Sequence, residues 1–84
     1  LFPYTTLFRS IRANSIHPAM VETPLITGGA FSDEDLQKNM QKYPLGRYGK
    51  PEEIAWAIIY LLSDASAWVT GHSLIIDGGV SNLK

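Results

Sequence analysis

The stretch I-R-A-N-S-I-H-P-A-M-V-E-T-P, residues 11–24, decides the fold. Its first part, Arg12 to Ile16, alternates weakly between polar and apolar side chains and the pattern ends at Pro18, which predicts a strand. A loop follows in which Thr23 precedes a second proline, Pro24, and a short helix is expected after that proline. Ligands of open parallel α/β sheets bind beyond the carboxyl ends of the strands, so we expect one wall of a ligand pocket here.

Two helices and a second strand are predicted in the rest of the chain. Ser32 and Asp35 form a capping-box pattern at the start of the first helix, which Pro44 is expected to end. The apolar side chains on one face of this helix are Leu36, Met40 and Tyr43. The second helix, Pro51 to Leu62, is apolar nearly all round, which indicates burial on a sheet and against a partner. The strand S-L-I-I at residues 73–76 completes a single βαβ unit.

The composition limits the classes of function. Seven Lys and Arg residues against eight Asp and Glu residues give a formal net charge of −1, which provides no electrostatic footprint for nucleic acid or for an anionic membrane. No apolar run approaches the roughly 20 residues of a membrane span. The chain has no cysteine, so it has neither a disulfide framework nor a thiolate metal site, and no metal site is expected.

The first ten residues, L-F-P-Y-T-T-L-F-R-S, stand apart from this pattern. They back-translate in frame to CTC TTT CCC TAC ACG ACG CTC TTC CGA TCT, which resembles a common short-read sequencing adapter. We therefore predict that residues 1–10 are a cloning or assembly artefact and that residues 11–84 are part of an incomplete domain. The alternative is a natural strand, because the side chains of Tyr4 to Phe8 suit β structure.

Three blocks of sequence carry a resemblance to a known family. They read N-S-I-H-P-A-M-V-E-T-P (residues 14–24), P-L-G-R-Y-G-K-P-E-E-I-A (residues 44–55) and V-T-G-H-S-L-I-I-D-G-G (residues 69–79). In this order they resemble the penultimate strand, the start of the last long helix and the last strand of the classical short-chain dehydrogenase/reductase family. The resemblance implies an α/β fold: the C-terminal part of a Rossmann-type doubly wound parallel sheet, with residues 11–84 an incomplete dinucleotide-binding domain.

The resemblance also implies a function. In this family a hydride passes between the nicotinamide of NAD or NADP and an alcohol or carbonyl carbon, while a tyrosine acts as general acid/base beside a lysine four residues later. The residues four positions after Tyr43, Tyr48 and Tyr60 are Arg47, Glu52 and Asp64. We therefore expect no catalytic residue in this chain. The catalytic and pyrophosphate-binding parts are expected upstream of residue 11, and the chain alone is expected to be inactive.

Four residues match the family's cofactor-binding loop: Pro18, Ala19, Val21 and Thr23. Pro18 and Ala19 match a turn that lets the backbone approach the nicotinamide, although Ala19 replaces the usual glycine. The resemblance assigns the Val21 backbone and the Thr23 hydroxyl to hydrogen bonds with the cofactor. For Thr23 the alternative is a capping residue before a helix. For His17 a structural role at a strand end is favoured over acid/base chemistry.

The segment between the first strand and the second helix is expected to contact substrate. Residues 20–43 are interpreted as a lid over a small alcohol or carbonyl compound. Its apolar wall is expected to comprise Leu25, Ile26, Phe31, Leu36 and Met40. Arg47 and Lys50, which follow the lid, are expected to pair with acids such as Glu52 or Glu53 near the start of the second helix or at a subunit contact. The alternative is that they reach a phosphate.

The expected assembly is a cytoplasmic homotetramer, because in the resembled family helix 51–62 and strand 73–76 often form a dimer interface within a tetramer. The alternative interpretation is a non-catalytic self-association or binding module built on the same fold. In either case residues 11–84 are not expected to fold stably alone, since their parallel strands lack neighbours.

Overall fold

The structure, a computed structural model, describes residues 10–82, so nearly all of the predicted artefact at residues 1–10 lies outside the described residues. The described elements are β1 (Ser15–Pro18), α1 (Pro24–Thr27), α2 (Asp33–Met40), α3 (Pro51–Leu62), a 3-10 turn (Asp64–Ser66) and β2 (Ser73–Ile76). The two strands pair in parallel, with Ser15 opposite Ser73 and Pro18 opposite Ile76. The predicted α/β class and the βαβ order are confirmed.

Strand β1 begins three residues later than predicted and includes Pro18. The residues before β1 form hydrogen bonds with the turn that precedes β2, and these bonds are not part of a regular strand ladder. The Gly71 N–H donates to the Ala13 carbonyl at 2.7 Å, and the Ala13 N–H donates to Thr70 Oγ1 at 3.2 Å. Asn14 joins the same turn, since its side chain accepts the His72 N–H at 2.9 Å. The weak alternation of polar and apolar side chains does not indicate where this turn lies.

The two short helices follow their start signals more closely than their stop signals. Pro24 opens α1, as expected. The Asp35 N–H donates to the Ser32 hydroxyl at 3.1 Å, which confirms the predicted cap of α2. Helix α2 ends at Met40 rather than at Pro44, because a tight turn follows in which the Tyr43 N–H donates to the Met40 carbonyl at 3.1 Å. Pro44 disfavours helical backbone at the residue before it, so the helix stops early.

Helix α3 has the predicted bounds, and its two sides differ in environment. Leu61 is buried against the rest of the chain. The opposite side carries Trp56, Ile59 and Leu62, whose exposed fractions are 65%, 61% and 79%. We call these three residues the α3 stripe. Among residues 10–82 the helix is therefore covered on one side only, and the stripe is exposed.

Two small clusters hold the described residues together. The first contains the buried side chains of Ile26, Tyr43 and Tyr48, with the two tyrosine rings edge to face at a centroid distance of 5.4 Å. The second surrounds Ser66, which is 1% exposed. The Arg12 guanidinium donates to Ser66 Oγ and to the Val69 carbonyl, both at 3.1 Å. The first cluster supports the predicted lid, and the second ties the start of β1 to the chain that follows α3.

Candidate functional site

A cleft of about 330 Å³ runs along one face of the two strands, from Ser73 at the start of β2 to residues beyond the strands' carboxyl ends. Its lining includes Pro18 and Ala19, two of the four predicted cofactor-binding residues, together with Ser73, Ile75 and Ser81. The Ala19 N–H donates to the Ile76 carbonyl at 3.2 Å, which fixes the backbone at the edge of the cleft. Among the described residues every positive φ belongs to a glycine, so alanine at position 19 carries no backbone strain.

Asp77, the residue that follows β2, also lines this cleft. Its carboxylate accepts the Gly79 N–H at 2.9 Å and the Ser81 N–H at 3.0 Å. Hydrogen bonding from Ser81, and then from Gly79, holds the pKa of Asp77 below its ordinary value. The lining of the cleft therefore includes a carboxylate whose ionised form is stabilised by hydrogen bonds.

Val21 lies outside the cleft but in extended backbone beside Gly49, with which it forms an isolated parallel bridge. The Gly49 N–H donates to the Met20 carbonyl at 3.0 Å, and the Gly49 carbonyl accepts the Glu22 N–H at 2.9 Å. Because the neighbours of Val21 make these bonds, its own N–H and C=O face the other side of the extended segment. No residue within 10–82 forms a backbone hydrogen bond with either group.

Thr23 occupies the N-cap position of α1, but its hydroxyl makes no capping hydrogen bond. The first turn is held by the Thr23 carbonyl, which accepts the N–H groups of Ile26 at 2.8 Å and Thr27 at 2.9 Å. The alternative role of Thr23, in which its hydroxyl caps the following helix, is therefore not observed. Thr23 itself is half-buried and follows the extended segment that carries Val21.

A second cleft, of about 290 Å³, separates α1 from α2. Three of the five predicted wall residues, Ile26, Leu36 and Met40, line it. Leu25 and Phe31 do not line it and are exposed to 74% and 46% of their surface. The structure therefore brings together only part of the predicted apolar wall of the lid.

Tyr48 also lines this second cleft and is 2% exposed. Its hydroxyl donates to the Leu36 carbonyl at 2.8 Å and accepts from Asn39 Nδ2 at 3.1 Å, both on α2. Sequence reasoning had tested this tyrosine only as an acid/base candidate. The sequence signal for this role was an aromatic residue just beyond the lid, between a polar residue and a glycine.

The predicted pairing with an acid at the start of α3 is confirmed for Arg47 and is not observed for Lys50 among the described residues. The Arg47 guanidinium binds both carboxylate oxygens of Glu53, each at 2.7 Å. Lys50 contacts the same carboxylate through its backbone N–H, at 2.8 Å; in the described part of the chain its ammonium group forms no ion pair. The hydrogen bond from Arg47 and that from the Lys50 N–H lower the pKa of Glu53 to about 2.

Other candidate groups have structural partners. His17 Nε2 lies 2.8 Å from the Ser15 hydroxyl on the exposed face of β1, consistent with the favoured structural role. Within residues 10–82 no group of three or more His, Asp or Glu side chains could hold a metal ion. In the same range no helix is long and apolar enough to cross a membrane.

Comparison with known proteins gives one consistent result. A family model described as enoyl-(acyl carrier protein) reductase matches residues 5–81. The chain is 42% identical over 72 residues to a 3-oxoacyl-[acyl-carrier-protein] reductase of Thermotoga maritima, which covers 86% of this chain and 28% of that protein. It is 39% identical over 71 residues to an NADP-dependent (R)-specific alcohol dehydrogenase of Lentilactobacillus kefiri, with 82% and 27% covered.

Solved structures agree with these matches. A short-chain dehydrogenase family protein from Francisella tularensis superposes with a TM-score of 0.77 at 35% identity, covering 94% of this chain and 36% of that one. The aldohexose dehydrogenase of Thermoplasma acidophilum, in a C-terminal deletion mutant, also gives a TM-score of 0.77, at 29% identity, with 94% and 39% covered. The chain thus spans about three-tenths of the curated relatives cited here.

Proposed function

Because this chain belongs to the short-chain dehydrogenase/reductase family, we propose that it is the C-terminal part of an NAD(P)-dependent oxidoreductase. The bound nicotinamide would exchange a hydride with an alcohol or carbonyl carbon of a small substrate. The residues of this chain bind and orient, whereas proton transfer belongs to a tyrosine and lysine that the sequence does not contain. Catalysis is therefore a property of the longer protein.

The single observation that carries this proposal is the bridge between Val21 and Gly49. It holds the backbone of Val21 extended while directing its N–H and C=O away from Gly49. A carboxamide has one carbonyl acceptor and an NH₂ donor, so it can pair with one backbone N–H and one backbone C=O at once. Such a pair of bonds fixes which face of a nicotinamide ring is presented, and it requires no particular side chain at position 21.

Pro18, Ala19 and Thr23 complete the proposed cofactor wall. Pro18 and Ala19 line the cleft where it reaches the carboxyl end of β1, and ligands of parallel α/β sheets bind beyond such strand ends. The Thr23 hydroxyl is not used to cap α1, so it can both donate to and accept from a carboxamide or phosphate.

The substrate side is proposed to be the cleft between α1 and α2. Ile26, Leu36 and Met40 give it an apolar wall, which favours a substrate with an apolar body next to its alcohol or carbonyl group. A Met40→Ala exchange in the full-length protein is expected to change the order of preference among such substrates. Lys42→Ala, an exposed exchange just beyond the helix, serves as its control.

A second copy of the same protein is the proposed partner of the α3 stripe. Trp56, Ile59 and Leu62 form a contiguous exposed apolar strip along the side of α3 opposite Leu61. Such a strip is typical of an interaction surface. Ile59→Asp in the full-length protein is expected to reduce the oligomer by sedimentation analysis, whereas Leu45→Asp, also exposed but away from the stripe, is expected to leave it intact.

The stripe also favours the second candidate function, a non-catalytic self-association module. The deciding experiment is to recover the reading frame upstream of residue 11 and to express the full-length protein. Under the main proposal that frame encodes a tyrosine with a lysine four residues later, and the protein oxidises or reduces alcohol and carbonyl compounds with NAD(P)(H). An upstream frame without the tyrosine–lysine pair, in a protein that oligomerises but shows no turnover, would establish the module instead.

A further inference from the structure

The attachment of helix α2 to the rest of the chain depends on few contacts. None of its eight residues is buried. Leu36 and Met40 reach the cluster of Ile26, Tyr43 and Tyr48 as partly buried side chains. The first turn is acidic and exposed, and the ion pair between Lys38 and Glu34 stays within the helix. A helix of this length has little stability of its own, so these few contacts decide where it lies.

We propose that Tyr48 is a positioning residue, a latch whose hydroxyl holds α2 against the backbone segment that carries Val21. This inference rests on the proposed function, in which α2 covers the substrate cleft. The hydroxyl donates to the Leu36 carbonyl at 2.8 Å and accepts from Asn39 Nδ2 at 3.1 Å, so one buried atom contacts two residues of the helix. Tyr48 is 2% exposed, so both bonds are at least partly buried.

The anchor of this latch is held on both sides of Tyr48. The preceding residue, Arg47, donates to the Tyr48 carbonyl at 3.0 Å and binds Glu53 on α3. The following residue, Gly49, pairs with Met20 and Glu22 around Val21. Residues 47–49 therefore connect α3 and α2 with the backbone segment that carries Val21. A displacement of α2 is resisted by the same short segment that fixes the Val21 backbone.

The latch also shapes the cleft. Tyr48, Leu36 and Met40 all line the space of about 290 Å³ between α1 and α2. Removal of the hydroxyl alone leaves the aromatic ring in place, together with its edge-to-face contact with Tyr43. The Leu36 carbonyl and the Asn39 amide then lose their shared partner. The helix is expected to leave the cleft more often while the core beneath it persists.

The test uses Tyr48→Phe in the full-length protein, with Tyr60→Phe as the matched control, because Tyr60 lies on α3 with 44% of its surface exposed. A lost neutral hydrogen bond corresponds to about a two- to twelvefold change in an equilibrium. We expect amide hydrogen exchange within residues 36–40 to accelerate by that factor, and the substrate KM to rise by a similar one. The kcat and the Kd for NADH or NADPH should stay within about twofold of wild type.

Asn39→Ala provides a second variant that does not disturb a buried ring. In a double-mutant cycle with Tyr48→Phe, the effects on exchange in α2 should be strongly non-additive, because both act through one hydroxyl. Unchanged exchange in Tyr48→Phe, or acceleration equal to that in Tyr60→Phe, would overturn the latch. If the wild-type protein shows no hydride transfer, the proposed function fails, whereas the exchange measurement still decides whether Tyr48 holds α2.

Discussion

The Arg47 guanidinium and the Glu53 carboxylate form a bidentate ion pair in which each carboxylate oxygen accepts one guanidinium N–H at 2.7 Å. The pair connects the segment after the lid to the first turn of α3. One of the same oxygens accepts the Lys50 N–H at 2.8 Å, so a single carboxylate organises the whole approach to the helix. These three donors stabilise the ionised form and lower the pKa of Glu53 to about 2.

This shift predicts a specific dependence of stability on pH. Since the pKa of Glu53 is lowered in the folded protein from 4.5 to about 2, its contribution is fully present above pH 4.5 and is lost as pH falls toward 2. Glu53→Gln in the full-length protein is expected to flatten the fall of the urea midpoint in that window. Glu52→Gln, also in the first turn, should keep the wild-type profile. A Glu53→Gln profile that still falls like wild type would contradict this assignment.

The Ser66 cluster predicts that replacing Arg12 lowers stability by more than the loss of its charge alone would. Arg12 donates to the Ser66 hydroxyl and to the carbonyls of Val69 and Ser63. Arg12→Met keeps the aliphatic stem but removes these bonds, and hydrogen bonds from a charged group contribute about 1.5–3 kcal/mol. We expect a loss of that size in the free energy of unfolding of the full-length protein, measured in urea.

The control for Arg12 is Lys38→Met on α2. Lys38 and Glu34 form an exposed pair at 3.5 Å, with 72% and 78% of their side-chain surfaces accessible. Such pairs contribute about 0.5 kcal/mol or less. Equal losses for Arg12→Met and Lys38→Met would show that the Ser66 cluster adds nothing to stability.

Thr23 offers a test that separates cofactor binding from helix capping. Thr23→Val preserves the shape of the side chain and removes the hydroxyl, whereas Thr23→Ser retains the hydroxyl. Because the Thr23 carbonyl, not its hydroxyl, holds the first turn of α1, neither exchange should alter stability by more than about 0.5 kcal/mol. We expect the Kd for NADH and NADPH to rise about two- to twelvefold in Thr23→Val only. A rise in both variants would exclude the hydroxyl as the reason.

The isolated 84-residue chain is expected to show no sharp cooperative melt. Within residues 10–82 the sheet has two parallel strands, and parallel sheets require cover on both faces and neighbouring strands. In the same range the buried apolar residues are few: Ile26, Tyr43, Tyr48 and Leu61. Scanning calorimetry should give a broad transition without a clear peak, and NAD(P)(H) assays should give no turnover. A sharp transition in the isolated chain would refute this expectation.

Local signals in the sequence were sufficient where neighbours along the chain make the structure. Pro51 with Glu52 and Glu53 placed the start of α3 correctly, because a helix start is set by the first turn itself. The same holds for Pro24 in α1 and for the Ser32 cap of α2. Stop signals were less informative: α2 ended before Pro44 because the proline restricts the residue that precedes it.

Residue type and spacing were enough to indicate the order of the elements, the family resemblance and the absence of a tyrosine–lysine pair. The contacts of Tyr48 with α2, of Arg12 with Ser66 and of Asp77 with the cleft are visible only in the folded chain. Arg12 and Ser66 lie 54 positions apart in the chain. Contacts across such distances depend on how the crossover folds back onto the strands, and no local pattern of side chains encodes that path.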